Sequence, residues 1–422
     1  MVETAEKSIE TFHLSRDQNT IYRYVLRRNG KKVCTRFRVN DIGHRTKYSQ
    51  DFLAASVDAA LLRSKRRPSL KRKGRTIRLA DLFSGCGAMS LGVEEACRAL
   101  GFQVRPILAI DFNQRAAELY NKNFPSAKTE VKDIKILLRG RLRGPLKPAE
   151  RRLKKRLGRI DIAVAGPPCQ GHSDLNNYTR RHDPKNGLYY RIVRFAKIIR
   201  PSHLIIENVP AVLRDRGRVI RRAKKALNLL GYHVTDHVIV LEDLGIPQSR
   251  RRHVLVASLT RRFEASDIIS SYRHKKRSVK WAISDLLKVN PNGSMLDRWP
   301  AQTHTARRRI RFLFEHNSYN LPNRLRPPCH QSNNHTYKSV YGRLWWNRPA
   351  QTITSGFMCM GQGRFVHPKR RRTVTAREAA RLQFIPDFFD FGENLGAAAL
   401  AEIIGNAVPP KLTYVLTLEL LR

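Results

Sequence analysis

Cys169 lies in the stretch Ala165-Gly-Pro-Pro-Cys-Gln-Gly-His-Ser173, and the chemistry open to it depends on how that loop holds it. Taken alone, a cysteine is more often a small core hydrophobe than a reactive thiol. Here Pro167 and Pro168 fix φ at about −65° at two successive positions. The apolar run Ile160-Asp-Ile-Ala-Val-Ala165 ahead of them reads as a buried strand. A thiol on a stiff loop at the carboxyl end of a strand is aimed, and its thiolate is a nucleophile. Three further groups of residues could share in such chemistry. Ser84-Gly-Cys-Gly-Ala-Met-Ser90 joins a strand to a helix. Its glycines permit a tight turn and close ligand approach, and a helix N-terminus favours negative charge. Glu207 ends the apolar run Leu204-Ile-Ile206, where a carboxyl group can move a proton or simply anchor a loop. Arg250 and Arg252 project to one face if their segment is extended, to hold an anion or to form a solvated basic patch.

The elements that must position these residues follow from periodicity. The pattern predicts a strand over Thr76–Phe83, a helix over Met89–Leu100, a strand over Val104–Ile110 and a helix over Gln114–Asn123. The alternation resumes with Ile160–Ala165, Leu188–Ile199, His203–Ile206, Val219–Leu230 and Val234–Val240. Such repetition implies an α/β fold, a largely parallel sheet with helices on both faces and ligands at the strands' carboxyl ends. Ahead of it, Ile21 to Val39 reads as a hairpin about Asn29-Gly30, a pair suited to a type I′ turn. Gln50 to Leu62 has helical spacing behind a Ser49 cap. The basic runs Lys65-Arg-Arg67 and Lys71-Arg-Lys73 read as a linker, so the start of the chain forms a small accessory module. That module either touches a polyanion or packs on the main domain. Arg139 to Arg159 could form an extra basic helix, and after Ser258 the periodicity fades until Arg348.

Composition bounds the function. Lysine and arginine number 81 against 34 acidic residues among 422, a formal net charge of +47. That excess favours a polyanionic partner, bound with strong salt dependence, and does not choose between DNA and RNA. No uninterrupted apolar run approaches the roughly 18 residues of a membrane span, and the acidic start is not a signal peptide. Six cysteines without a Cys-x-x-Cys pair argue against a disulfide framework and against a zinc site, so no metal is expected.

In chain order the sequence carries Asp81-Leu-Phe-Ser-Gly-Cys-Gly-Ala-Met-Ser-Leu-Gly92, Gly166-Pro-Pro-Cys-Gln-Gly171, Glu207-Asn-Val-Pro210 and Gln248-Ser-Arg-Arg-Arg252. Arg348-Pro-Ala-Gln-Thr352, Arg377-Glu-Ala-Ala-Arg-Leu-Gln383 and Gly405-Asn-Ala-Val408 complete the set. From about Arg75 to the C-terminus the chain thereby resembles the DNA cytosine-5 methyltransferases, whose nucleophile lies in a Gly-Pro-Pro-Cys-Gln-Gly loop. The segment between Arg252 and Arg348 matches no family motif.

The resemblance implies a Rossmann-like, S-adenosylmethionine-dependent methyltransferase fold with a smaller, irregular target recognition domain. The implied divisions are 1–74 for the accessory module and linker, 75–257 for the catalytic domain, 258–395 for target recognition, and 396–422 for a return to the catalytic domain. It also implies that Phe83, Ser84, Gly85, Gly87 and Pro168 line the site of S-adenosylmethionine. Asp111 would accept from ribose hydroxyls, Phe112 would stack on adenine, and Asp133 and Ile134 would meet the adenine edge. Leu188 and Asn406 would complete that pocket. Ala88 departs from the glycine usual in the family, and His172 stands where phenylalanine is common.

For the reaction, the resemblance implies attack of Cys169 on cytosine C6, Glu207 at N3, Arg252 at O2, and Arg250 near Cys169 and the adjacent phosphate. Gln248 would brace nearby backbone. The target base would have to leave the stack, because none of these groups reaches it inside a duplex. Base edges and phosphates would be met between about Ser258 and Asn347, by residues such as Arg307, Arg308, Arg309, Asn333, Asn334 and His335. The implied function is methylation of cytosine C5 within a specific double-stranded DNA sequence. An RNA cytosine-5 methyltransferase is the nearest alternative. A non-catalytic DNA-binding protein on a methylase fold is another, and the intact Cys169, Glu207 and Arg252 argue against it. Without a nuclease or helicase signature, any cognate restriction endonuclease would be a separate chain. The expected setting is a monomer in the prokaryotic cytoplasm, associated with the nucleoid and with no membrane.

Overall fold

The structure, a computed structural model, describes residues 9–39, 47–69, 74–168, 187–291, 293–331, 339–393 and 395–422. Strands β1 (Glu10–Leu14), β2 (Thr20–Leu26) and β3 (Lys32–Arg38) form an antiparallel meander, followed by helix α1 (Gln50–Arg63). Ser49 caps α1 by accepting from the Phe52 amide, as its sequence suggests. The hairpin turn differs from the type I′ expectation. Arg27 N donates to Lys31 O, Gly30 N donates to Arg27 O, and only Gly30 takes a positive φ, of 79°. Three residues therefore connect the strands, and the single left-handed position falls to glycine.

The central sheet contains β4 (Thr76–Leu82), β5 (Gln103–Asp111), β6 (Lys128–Val131), β7 (Ile162–Ala165), β8 (His203–Asn208) and β9 (His233–Val240). Short β10 (Gln248–Ser249) leads into the last sheet strand, β11 (Arg251–Ser258). The order is β6-β5-β4-β7-β8-β11-β9. Neighbours from β6 to β8 are parallel, whereas β11 runs antiparallel to both β8 and β9. Only a short turn through Leu241–Leu244 and Gly245 links β9 to β10 and β11, too short for the crossover that a parallel neighbour needs.

Helices α2 (Ala88–Leu100) and α3 (Gln114–Asn123) follow β4 and β5. The one-turn α4 (Ile134–Leu137), α5 (Pro148–Leu157), α6 (Leu188–Ile199) and α7 (Val219–Leu229) complete the first half. Helix α5 is the extra basic helix read from the sequence. Its Leu153 and Leu157 are buried in the α6–α7 layer, and its buried Glu150 accepts from Arg194 Nε of α6 at 3.0 Å. Its cations Arg151, Arg152, Lys154, Lys155 and Arg156 face outward.

Beyond Ser258 come α8 (Ala265–Ser271), α9 (Val279–Ile283), α10 (His304–Glu315), β12 (Ala350–Gln351), α11 (Ala376–Leu382), α12 (Ala397–Asn406) and α13 (Pro410–Leu421). The α10 helix is more order than the weak periodicity suggested. Thr303 caps it, and its inner face contributes only Ile310 and Leu313 to a small separate core, too few apolar positions to mark a helix in sequence. On one face of the sheet, α2 and α13 share a core with Ile9, Val25 and Leu62 of the N-terminal module. The module therefore packs on the sheet domain. Arg23 of β2 is buried and bonds Glu95 of α2 at 2.9 Å and Tyr414 of α13 at 3.1 Å. No helix among the described residues is long and apolar enough to cross a membrane.

Candidate active site

Parallel pairing brings four strand ends into one row. Leu82 of β4 stands in register with Ile110 of β5 and Ala165 of β7, and Ala165 with Ile206 of β8. One residue further on, the chain leaves that row at Phe83, Asp111, Gly166 and Glu207, on strands about 4.8 Å apart. Residues distant in sequence therefore converge on the carboxyl edge of the sheet, where ligands of such sheets bind.

Glu207 is buried, and Arg252 Nε of β11 donates to its Oε1 at 2.6 Å. The antiparallel register sets this pair, because Glu207 lies opposite Val254 and Arg252 shares that face two residues away. Gly166, where the Pro-Pro-Cys loop begins, adjoins the same carboxyl group. A Cβ built there would lie 3.8 Å from Glu207 Oε2 and 3.5 Å from Met89 Sδ. Residues 169–186, which include Cys169 and His172, lie outside the described residues, as do 332–338 with Asn333, Asn334 and His335. Pro168 is the last described residue before the gap, and Leu188 resumes as the buried first residue of α6.

Arg250 and Arg252 both point inward, with Arg251 exposed between them. Arg250 is 3% exposed, and its Nη1 donates to Ile353 O at 3.1 Å, to Gln383 Oε1 at 3.3 Å and to Gly405 O at 3.4 Å. Gln248 ties the same segments. Its amide nitrogen donates to Leu382 O and Gln383 Oε1, and its oxygen accepts from Ile353 N at 2.8 Å. Gly405 lies so close to Thr354 and Ser355 that any side chain would collide with their backbone. The motifs around Gln248, Thr352, Gln383 and Gly405 are thus one buried hydrogen-bonded junction.

The glycine loop forms the other half of the site. Phe83 is held at φ 60°, a left-handed conformation uncommon for an aromatic residue. Gly87 has φ 96°, and a Cβ there would lie 2.6 Å from the Phe124 ring, so only glycine fits. Ala88 opens α2 with helical backbone, which an alanine adopts without strain. Asp111 accepts from Gly85 N at 2.8 Å and from Asn113 N at 2.9 Å. Burial raises its carboxyl above the usual range, opposed by the Asn113, Gly85 and Phe112 amides. Phe112 is 71% exposed beside it.

An adenosyl cofactor fits these residues. Ser84 Oγ is buried without a hydrogen-bond partner among the described residues, and the space beside Gly85 is open. A carboxylate retains accepting capacity beyond two amide bonds, and Phe112 offers a free aromatic face. Asp133 is exposed and caps α4 by accepting from Lys135 N, with Ile134 buried behind it. Asn406 is exposed at the end of α12.

Asp81 is a further buried residue of the site that its motif names without explaining. It is fully buried and accepts from Ser90 Oγ at 2.6 Å, with the Tyr120 hydroxyl 2.7 Å from the same atom. Burial raises its carboxyl well above the ordinary range, and the charge of Asp111 adds to this. The signal was an acid inside the apolar stretch Leu79–Phe83. Cys86 differs in kind from an aimed thiol, because burial pushes its pKa up to about 12.

The family description "C-5 cytosine-specific DNA methylase" matches residues 77–422. Over 420 residues, 99% of this chain and 96% of the relative, the sequence is 43% identical to Type II methyltransferase M1.BsuMI of Bacillus subtilis. It is 28% identical to Type II methyltransferase M.DdeI of Desulfomicrobium norvegicum, over 80% of this chain and 87% of that one. Two solved structures share the fold. One is a putative DNA modification methyltransferase encoded within an E. coli prophage, with TM-score 0.55 and 21% identity over 82% of this chain and 98% of that one. The other is the S. pombe Dnmt2 methyltransferase, with TM-score 0.57 and 18% identity over the same shares. A glycine loop, the Gly166-Pro-Pro start of the cysteine motif and a Glu–Arg pair on one sheet edge, within a match reaching the last residue, make this chain a member of the C-5 cytosine-specific DNA methylases.

Proposed function

We propose that this enzyme methylates its cytosine through a covalent Cys169–C6 intermediate on a base rotated out of double-stranded DNA. The observation that carries the reading is the Glu207–Arg252 pair, buried beside the first residue of the Pro-Pro-Cys loop. Cytosine C5 is a poor nucleophile while the ring is aromatic. Addition of the Cys169 thiolate at C6 breaks that aromaticity and drives electron density towards N3 and O2. Glu207 hydrogen-bonds or protonates N3, and Arg252 meets the charge at O2 while holding the Glu207 carboxyl in place. Arg250, fixed by three carbonyl or amide oxygens, stiffens the segment that leads into β11, and Cys169 and the adjacent phosphate would lie near it. Gln248 braces that backbone.

S-adenosylmethionine is the cofactor that suits this pocket, where it would supply an electrophilic methyl group. Phe83, Ser84, Gly85, Gly87 and Pro168 would surround it, Asp111 would receive its ribose hydroxyls and Phe112 its adenine. Asp133, Ile134, Leu188 and Asn406 would complete the walls. We assign residues 1–74 as the N-terminal module, 75–257 as catalytic, 258–395 as target recognition and 396–422 as the returning segment. Arg307 and Arg308, exposed on α10, are candidates for phosphate contact. Arg309 is bound to Leu325 O and lies over the Tyr341 ring, a packing role. The setting that suits this reading is a monomer on DNA in the prokaryotic cytoplasm, associated with the nucleoid, with any restriction endonuclease a separate chain.

The test is Cys169→Ser with a duplex that carries 5-fluorocytosine at the target. The parent enzyme should form a stable adduct, because fluorine cannot leave C5 as a proton does. The variant should form none and transfer no methyl group, yet still bind S-adenosylmethionine by calorimetry. Turnover near the parent rate in the variant would exclude the covalent mechanism.

A further inference from the structure

Helix α7 carries an outer face that the reaction does not use. Its inner residues Val219, Ile220, Ala223 and Leu227 are buried, whereas Arg221, Arg222, Lys224, Lys225 and Leu229 are not. A groove runs along each side of the helix. Val212, Leu213, Ile220, Arg221 and Lys224 line one. Leu142, Tyr190, Lys197 and Arg222 line the other, and Lys225 and Leu229 form the ridge between. Leu229 is 71% exposed and Leu213 is 49% exposed, so two leucines stand open to solvent among cations. Arg221, Arg222 and Lys225 have no carboxylate partner among the described residues. The single acid in the grooves, Asp236, is already bound by Lys224 and by His253 Nε2 at 2.9 Å.

We propose that this face docks an acidic, amphipathic helix of a partner protein. Two alternative occupants leave part of the surface unsatisfied. Intact duplex DNA offers phosphates to the cations but nothing apolar to Leu213, Leu229 and Ile220. A second copy of a chain with net charge +47 would be repelled. A helix with leucines spaced i, i+4, i+7 and glutamates on both flanks matches both chemistries at once. Helix α7, about 16 Å long at 1.5 Å per residue, gives room for roughly three turns of such a partner.

The probe is a fluorescein-labelled 16-residue peptide with that leucine stripe and glutamates elsewhere, titrated with the full chain by anisotropy, alongside its lysine counterpart. The acidic peptide should bind, and the basic one should not. Leu213→Ser with Leu229→Ser should weaken binding by at least about fivefold through lost apolar burial. Arg221→Glu with Lys225→Glu should weaken it further, and both double variants should keep the parent's thermal midpoint, turnover and DNA affinity. Three results with peptide and duplex would overturn the proposal, and a fourth comes from lipid. They are absence of binding, binding indifferent to the leucines, and a matching loss of non-target duplex affinity in the charge-reversed variant, which would make the face a DNA surface. Phosphatidylglycerol vesicles form the last arm. If they bound the face more tightly than the peptide, a membrane partner would replace the protein one.

Discussion

Glu207 and Arg252 divide the work at the base in a way that substitution can separate. Their 2.6 Å contact is almost out of water, so each side chain depends on the other for orientation. Glu207→Gln keeps a hydrogen-bonding shape while removing the carboxyl group that pairs with Arg252 and could carry a proton to N3. Turnover should therefore fall by more than about tenfold with only a modest change in DNA affinity, as expected for a contact that strengthens in the transition state. Steady-state and equilibrium binding assays on one duplex measure both quantities. Equal losses in the two would mean that Glu207 mainly positions the base.

At the scale of elements, the N-terminal module is held to the C-terminal helix by buried charges. Asp58 of α1 is 5% exposed, bonded to Lys411 of α13 at 3.0 Å and to Arg277 Nη1 at 2.5 Å. Burial alone would raise the Asp58 carboxyl, but Lys411, Arg277 and His274 together hold it below its usual range. Asp58→Ala leaves two buried cations without their acid, and such a loss costs about 3–5 kcal/mol. Urea denaturation should show a drop of that size, and an unchanged midpoint would mean that water replaces the carboxylate. The same face explains Gly92, where any side chain would strike Pro410 O and Thr413 Oγ1 of α13. Close packing of α2 on α13 in turn fixes the glycine loop that opens α2.

Whole-molecule behaviour follows from titration and net charge. His203, His274 and His367 lie in different regions, and burial lowers each to a pKa of about 4. Arg75 adds to the effect at His203, Lys411 and Arg277 at His274, and Arg372 at His367. In the unfolded chain a histidine titrates near about 6.5. The unfolded state therefore binds more protons between the two values. Stability from these groups is complete above pH of about 6.5 and drains away as pH falls towards 4. Thermal midpoints should decline over that window, and less steeply in His203→Gln, which keeps a hydrogen-bonding group near Ser258. A parallel decline in both proteins would assign the acid sensitivity elsewhere. The net charge of +47 acts on DNA instead. Affinity for non-target duplex should fall linearly on a log–log salt plot, by roughly 0.9 in slope for each phosphate contact. A shallow slope would mean that much of the basic surface faces away from DNA, as the α7 face does in our proposal.

The sequence alone was enough for the sheet–helix alternation and the glycine loop, because local periodicity and glycines at left-handed positions act over a few residues. It also contained both halves of the Glu207–Arg252 pair, without their contact. Tertiary structure decided that contact, because β11 runs antiparallel beside β8 and only this register puts Arg252 on the Glu207 face. It likewise buried Arg250 against Ile353, Gln383 and Gly405, which lie 103 to 155 residues away in the chain. The accessory module at residues 1–74 read equally as touching DNA or as packing on the main domain. Its attachment rests on Arg23 and Asp58, polar residues whose burial no local pattern announces. A helix within 304–315 was settled by packing as well. Local sequence selects which element forms, while pairings between distant residues depend on charges and registers that meet only once the chain has folded.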